Sequence, residues 1–215
     1  MAKKEADMKG KFITLEGCEG VGKSTQLNML KEYLERTNQD AFFTREPGGT
    51  PVAEAIRQIL LDQTLVIEPK VEAMLFATAR ISHIDEVIIP NLEKGKIVVS
   101  DRYVDSSLAY QGFARNLGLE YVQTVNKYAF DVCMPDCTIF IDMDPEFSWR
   151  KQKGNKVFND RLENEKLEFH KGCYFGFKEL ARVFPERIVK IVPDIDKAET
   201  HRRIVEALKS KGVIK

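Results

Sequence analysis

Residues 17–24 read Gly17-Cys18-Glu19-Gly20-Val21-Gly22-Lys23-Ser24 and fit the pattern G-x-x-x-x-G-K-[ST], a loop that cradles phosphates. The run Phe12-Ile13-Thr14-Leu15 just before it is short, apolar and β-prone, and Leu27, Leu30 and Leu34 recur just after it at helical spacing. Strand, glycine loop and helix form the setting this motif needs. Gly17, Gly20 and Gly22 let the backbone bend so that N–H groups point inward at an anion, and the helix that follows adds its positive end. Lys23 can reach the β- and γ-phosphates of a nucleotide, Ser24 can ligate Mg²⁺, and Thr25 completes the run expected to hold a triphosphate. The plainer reading, a glycine-rich turn before an ordinary helix, leaves Lys23 without a role at a helix start, where a cation is unfavourable.

The rest of the chain is consistent with one soluble domain. It has 215 residues, of which 43 % are hydrophobic and 31 % charged, enough to bury a full core. Lys+Arg and Asp+Glu are both 33, so there is no global basic field for nucleic acid or an anionic membrane, and anion binding must be local. No apolar run approaches the ~20 residues of a membrane span. Residues 1–11 are polar and charged without the apolar stretch of a secretory signal, and residues 1–10 are expected to form a disordered tail before a single domain over 11–215. Cys18, Cys133, Cys137 and Cys173 form no zinc-ligand spacing, and a core of this size needs no disulfide. Reduced thiols in the cytoplasm are the expectation.

Short apolar runs at 12–15, 41–44, 97–100, 138–141 and 188–192 alternate with helical stretches, as strands buried on both faces of a parallel sheet do. In residues 51–61 the spacing predicts a helix with Val52, Ile56, Ile59 and Leu60 on one stripe. A second stripe comprises Phe169, Cys173, Phe177, Leu180 and Phe184. The alternation predicts an α/β fold with a doubly wound sheet of about five parallel strands flanked by helices. Residues 150–161 are polar, basic and glycine/asparagine-bearing, and read as a short lid. In such folds ligands sit beyond the C-terminal ends of the strands. The segments found there are the phosphate loop, Arg45-Glu46-Pro47-Gly48-Gly49-Thr50, Asp101-Arg102-Tyr103 and Asp142-Met143-Asp144-Pro145. A lone surface Arg or Asp is commonly just an ion pair. Arg45 and Arg102 at two strand ends facing one crevice suggest a second anion beside the first.

Taken together these residues resemble the thymidylate kinase family over roughly 11–210. Its Thr-Arg-Glu-Pro-Gly-Gly-Thr stands at 44–50, and its Leu-Phe-x-Ala-x-Arg-x-x-His at Leu75, Phe76, Ala77, Arg80 and His83. Its Asp-Arg-Tyr and Ser-Ser-x-Ala-Tyr-Gln-Gly run from Asp101 to Gly112, and Asp160-Arg161-Leu162-Glu163 is similar to the segment that closes the family's lid. The resemblance implies a nucleoside-monophosphate-kinase-like fold and transfer of phosphate from ATP to dTMP with Mg²⁺, in dTTP synthesis. Phe76 and Arg80, four apart, share a helix face; the aromatic would stack on a pyrimidine and the arginine would donate to a base acceptor such as thymine O4. Ser107 and Gln111, also four apart, can read the base edge. Tyr110 is implied beneath the deoxyribose, and Glu19 near the sugar 3′-hydroxyl or the metal shell. For Pro47 the family allows a cis bond, whereas only about 5–6 % of X–Pro bonds in folded proteins are cis.

The implied division of labour follows from the acceptor. A phosphate monoester with a second pKa near ~6 is largely dianionic at neutral pH, so no strong general base is required. Lys23 and Mg²⁺ neutralise the donor, Arg45 and Arg102 orient the acceptor, Ser24 ligates Mg²⁺ directly and Asp101 holds it through water. Some family members carry an arginine in the phosphate loop where this chain has Gly20, so the remaining cation is expected from the lid. Arg150, Lys153, Lys156 and Arg161 stay open for that role. Gly112-Phe113-Ala114-Arg115-Asn116 departs from the family's Gly-x-Gly-Arg-Gly but keeps the arginine. The family also implies a homodimer, through helices near 69–89 and 119–132. The competing readings are a kinase for another pyrimidine monophosphate (dUMP or UMP) and a non-catalytic nucleotide switch. The latter would need Asn-Lys-x-Asp, which Asn126-Lys127-Tyr128-Ala129 lacks.

Overall fold

The structure, a computed structural model, describes residues 9–152 and 161–215, the side chains of 149–152 excepted. Five strands form one sheet: β1 (Lys11–Glu16), β2 (Ala41–Arg45), β3 (Ile97–Asp101), β4 (Cys137–Ile141) and β5 (Ile188–Ile191). All pair in parallel, in the order β2-β3-β1-β4-β5. The helices are α1 (Lys23–Arg36), α2 (Pro51–Leu61), α3 (Pro69–His83), α4 (Ile89–Glu93), α5 (Val104–Ser107), α6 (Leu119–Val125), α7 (Lys127–Val132), α8 (Pro145–Gln152), α9 (Leu167–Val183) and α10 (Lys197–Ser210). A π-helical turn over Ile84–Ile88 joins α3 to α4, and another over Leu108–Ala114 extends α5.

The sheet is buried on both faces, which explains the continuous apolar runs. Along β1 and β3 side chains divide between two cores. Phe12 and Val98 pack with Ile84, Ile88, Leu92 and Tyr103, whereas Ile13, Leu15, Val99 and Ile139 pack with Leu30, Leu34, Phe177 and Leu208. Burial of a side chain such as Leu30 or Leu34 contributes roughly 1.5–3 kcal/mol. Gly10 is already buried, its N–H donating to Leu92 O (3.0 Å), whereas residues 1–8 of the expected tail lie outside the described residues.

The stripe on α9 behaves as its spacing predicts, with Phe169, Cys173, Phe177 and Leu180 buried and Phe184 just past the helix end. The stripe on α2 does not. Ala53 and Leu60 are its buried residues, while Val52 and Ile59 are 54 % and 45 % exposed. The reason is that α2 packs chiefly on α3, so only one edge of its apolar face meets the chain. Segment 108–114 lies close on α9 because α9 offers glycine there: a Cβ on Gly176 would fall 2.9 Å from Ala109 Cα. Tyr110 packs there edge-on against Phe169 and Phe177 of α9.

Candidate active site

The strand ends share one register. Leu15 pairs with Asp101 and Asp101 with Arg45. Backbone bonds from Glu46 N–H to Asp101 O (2.9 Å) and from Arg102 N–H to Leu15 O (3.0 Å) extend the ladder into the loops. The phosphate loop, Arg45 and Asp101-Arg102 therefore open on the same edge, around a cleft of about 510 Å³.

Gly17 has φ +141°, and a Cβ there would sit 3.0 Å from Ile141 O, so a side chain at this position would strain the backbone and crowd β4. Val21 and Cys18 are buried beneath the loop, and Gly22 caps α1 with φ +99°. Lys23 is buried, and its Nζ donates to Gly17 O and Cys18 O, both at 3.0 Å. Burial first, and then Arg102, pulls its pKa below the usual lysine value, against the opposing pull of Glu19 and Asp101. Glu19, Gly20, Gly22, Lys23, Ser24 and Thr25 all line the cleft.

Arg102 adopts φ +70°, a strained conformation for a non-glycine residue, at the site itself. Its Nη1 donates to Gly17 O (3.0 Å) and Ser106 Oγ (3.1 Å), its Nη2 pairs with Glu19, and its guanidinium stacks 5.1 Å from the Tyr110 ring centroid. The Tyr110 hydroxyl donates to Glu19 Oε1 (3.2 Å). Burial works to raise the Glu19 carboxyl, but Arg102, Lys23 and Tyr110 overcome it and hold its pKa at about 2. Behind this cluster Glu16 is fully buried, accepting from Tyr103 N–H (2.7 Å) and Ser106 Oγ (2.6 Å). Burial, and then the neighbouring Asp105, pushes its pKa up to about 8. Arg45 lies at the rim, 54 % exposed, with Nη2 on both Glu54 oxygens (2.9 and 3.0 Å).

Deeper in the cleft Phe76, Arg80, Ser107, Tyr110 and Gln111 come together. Arg80 is almost fully buried. Its Nε donates to Glu46 Oε2 (2.8 Å), its Nη1 to Ser107 Oγ (3.0 Å) and to Asn126 Oδ1, and its Nη2 to Tyr103 O (3.3 Å). Glu46 also meets His83 Nδ1 (3.1 Å), whose Nε2 lies 2.7 Å from Thr44 Oγ1. The Glu46–Pro47 peptide is cis. Gln111 donates through Nε2 to Glu72 Oε1 (2.9 Å).

Several participants carry no isolated sequence signal. Arg57 lines the cleft and donates to Pro47 O (2.9 Å), but its helix reads as an apolar stripe. Asn126 reads as a failed nucleotide motif, yet it holds Arg80. Glu72 has a signal in hindsight, since it precedes Phe76 and Arg80 by one and two turns on the same face of α3.

Of the lid candidates, Lys153, Lys156 and the side chain of Arg150 lie outside the described residues. Arg161 is described. Its Nη2 lies 2.7 Å from Glu72 Oε2 and its Nε donates to Leu60 O (3.0 Å), so it is built into the wall beside Leu162 and Glu163, which line the cleft.

The residues present fit Mg²⁺. Asp101 Oδ1 is buried without a hydrogen-bond partner among the described residues, and Ser24 opens on the same cleft. Among the described residues no group of three or more His, Cys, Asp or Glu could hold a metal.

Sheet order, phosphate loop and arginine-lined cleft define an α/β P-loop protein of the nucleoside monophosphate kinase type. The family model described as Thymidylate kinase matches residues 15–204. A thymidylate kinase of Caldanaerobacter subterraneus subsp. tengcongensis is 44 % identical over 201 residues, 94 % of this chain and 96 % of that protein. One from Acholeplasma laidlawii is 48 % identical over 182 residues, covering 84 % and 89 %. The crystal structure of thymidylate kinase from Ehrlichia chaffeensis superposes with a TM-score of 0.76 at 32 % identity, over 93 % of this chain and 98 % of that one. This chain belongs to the thymidylate kinase family.

Proposed function

We propose that the protein phosphorylates dTMP to dTDP with ATP, by in-line transfer. The observation that carries this reading is that a single cleft is lined by a phosphate loop with its lysine and by half-buried Phe76 with buried Arg80 and Gln111, with Arg102 and Arg45 on the same rim. Lys23 and the loop N–H groups would take the β- and γ-phosphates. Arg102 and Arg45 would exchange their carboxylate partners, Glu19 and Glu54, for the acceptor phosphate, fixing it in line. Phe76 would stack on the base, Arg80, Ser107 and Gln111 would meet its edge, and Tyr110 would lie under the sugar. Ser24, with Asp101 through water, would hold Mg²⁺, whose charge offsets that of the donor phosphates. The dianionic acceptor needs no base from the protein.

A homodimer is part of this reading. Val71, Met74 and Ile81 on α3 are 50 %, 55 % and 41 % exposed and share one helix face, and Val52 and Ile59 of α2, the helix packed on α3, are exposed as well. Exposed apolar side chains on two packed helices favour a protein partner. A cytoplasmic location accords with four cysteines that are all buried free thiols, and no helix among the described residues is long and apolar enough to cross a membrane. Incubation with ATP, Mg²⁺ and dTMP should yield ADP and dTDP in equal amounts by ion-exchange chromatography. ADP without dTDP would refute the assignment.

A further inference from the structure

Glu72 is a completely buried carboxylate on α3 that does not itself line the cleft. Its Oε1 accepts from Gln111 Nε2 (2.9 Å) and Arg115 Nε (3.2 Å), and its Oε2 from Arg115 Nη2 (3.1 Å) and Arg161 Nη2 (2.7 Å). Arg115 is itself held from the other side by Glu165 (2.6 Å) and by stacking on Phe169 at 4.3 Å. The charges of the two arginines and two glutamates balance. A carboxylate gripped by two guanidinium groups accepts hydrogen bonds and does not donate. The group of Gln111 that faces it must therefore be the NH₂, and the amide oxygen is turned to the other side, toward the cleft that Gln111 lines.

Arg80 sets the complementary half. It has five N–H donors, and the described bonds use four: one to Glu46, one to Ser107, one to Asn126 and one to Tyr103 O. One Nη2–H is left for a ligand. We infer that Glu72 is a specificity-determining positioning residue: by fixing the flip of the Gln111 amide, it makes the pocket present an acceptor beside the Arg80 donor. That pair matches a pyrimidine with a ring N3–H and a 4-keto oxygen. It opposes cytosine, whose N3 is an acceptor and whose 4-substituent is an amino donor. This inference rests on the reading of the cleft as the acceptor-base site. Glu72→Gln removes the constraint, because an amide at 72 can face either end of Gln111.

The test compares kcat/KM for dTMP and dCMP in the wild-type protein and Glu72→Gln. The preference for dTMP should fall about 10-fold or more, with the KM for ATP unchanged. In a Gln111→Met background, Glu72→Gln should change the preference no further. A variant that is less stable but equally selective would overturn the inference and leave Glu72 a purely structural hub. So would a loss of selectivity that persists in full without Gln111. If Glu72→Gln does not fold, the charge-balanced Glu72→Gln/Arg115→Met carries the same expectation and the same refutation. A wild-type protein with no preference for dTMP over dCMP would instead overturn the reading of the cleft, and this inference with it.

Discussion

Arg80 Nε and Glu46 Oε2 lie 2.8 Å apart with both side chains at most 4 % exposed, so the arginine that faces the deep end of the cleft is fixed by a buried ion pair from the loop after β2. The pair ties the Arg-Glu-Pro-Gly-Gly segment to α3, and His83 and Asn126 hold it from either side.

Removing one partner of such a pair strands the other charge. Glu46→Ala is expected to lower unfolding free energy by about 3–5 kcal/mol and to cut kcat/KM for dTMP more than the KM for ATP is altered. Chemical denaturation and steady-state kinetics check this. Equal loss with both nucleotides would show that Arg80 does not serve the acceptor side.

Lys23 bonds only to loop carbonyls among the described residues, and its burial costs desolvation. Lys23→Ala should therefore keep the fold while slowing transfer by at least about 10²–10³-fold. A variant of near wild-type rate would remove Lys23 from the chemistry.

Glu16 gives a prediction in pH. Burial, with Asp105 adding to it, raises its folded pKa from 4.5 to about 8, so between these values the folded state holds a proton the unfolded chain has lost. Stability from this group is present at low pH and declines as pH rises from about 4.5 to about 8. The difference in unfolding free energy, Glu16→Gln minus wild type, should thus become more favourable to the variant across that window. A difference that stays flat with pH would contradict the shift.

The exposed face of α3 is the support for self-association. Met74→Lys is expected to shift sedimentation toward the monomer without loss of helical signal. A wild-type protein that sediments as a monomer at micromolar concentration would contradict the dimer.

The parts legible in the sequence are those governed by local rules. Five strands lie where short apolar runs stand between turns, because burial on both faces leaves no polar alternation to obscure them. The loop at 17–24 is legible because its glycines and lysine serve an anion directly. Glu46, Glu72, Asn126 and Glu16 have no role legible in the sequence, since each acts through another side chain brought to it from 34 to 90 positions away. Val52 and Ile59 are exposed despite their helical spacing for a related reason: spacing identifies an apolar face, but only packing decides whether this chain or another surface covers it.

The most direct test of the account is phosphoryl transfer from ATP and Mg²⁺ to a panel of dTMP, dUMP, UMP, dCMP, dGMP and AMP, read as ADP release. The highest kcat/KM is expected for dTMP, with dCMP and the purines far below it. Equal or greater activity on dCMP, or on a purine monophosphate, would contradict it.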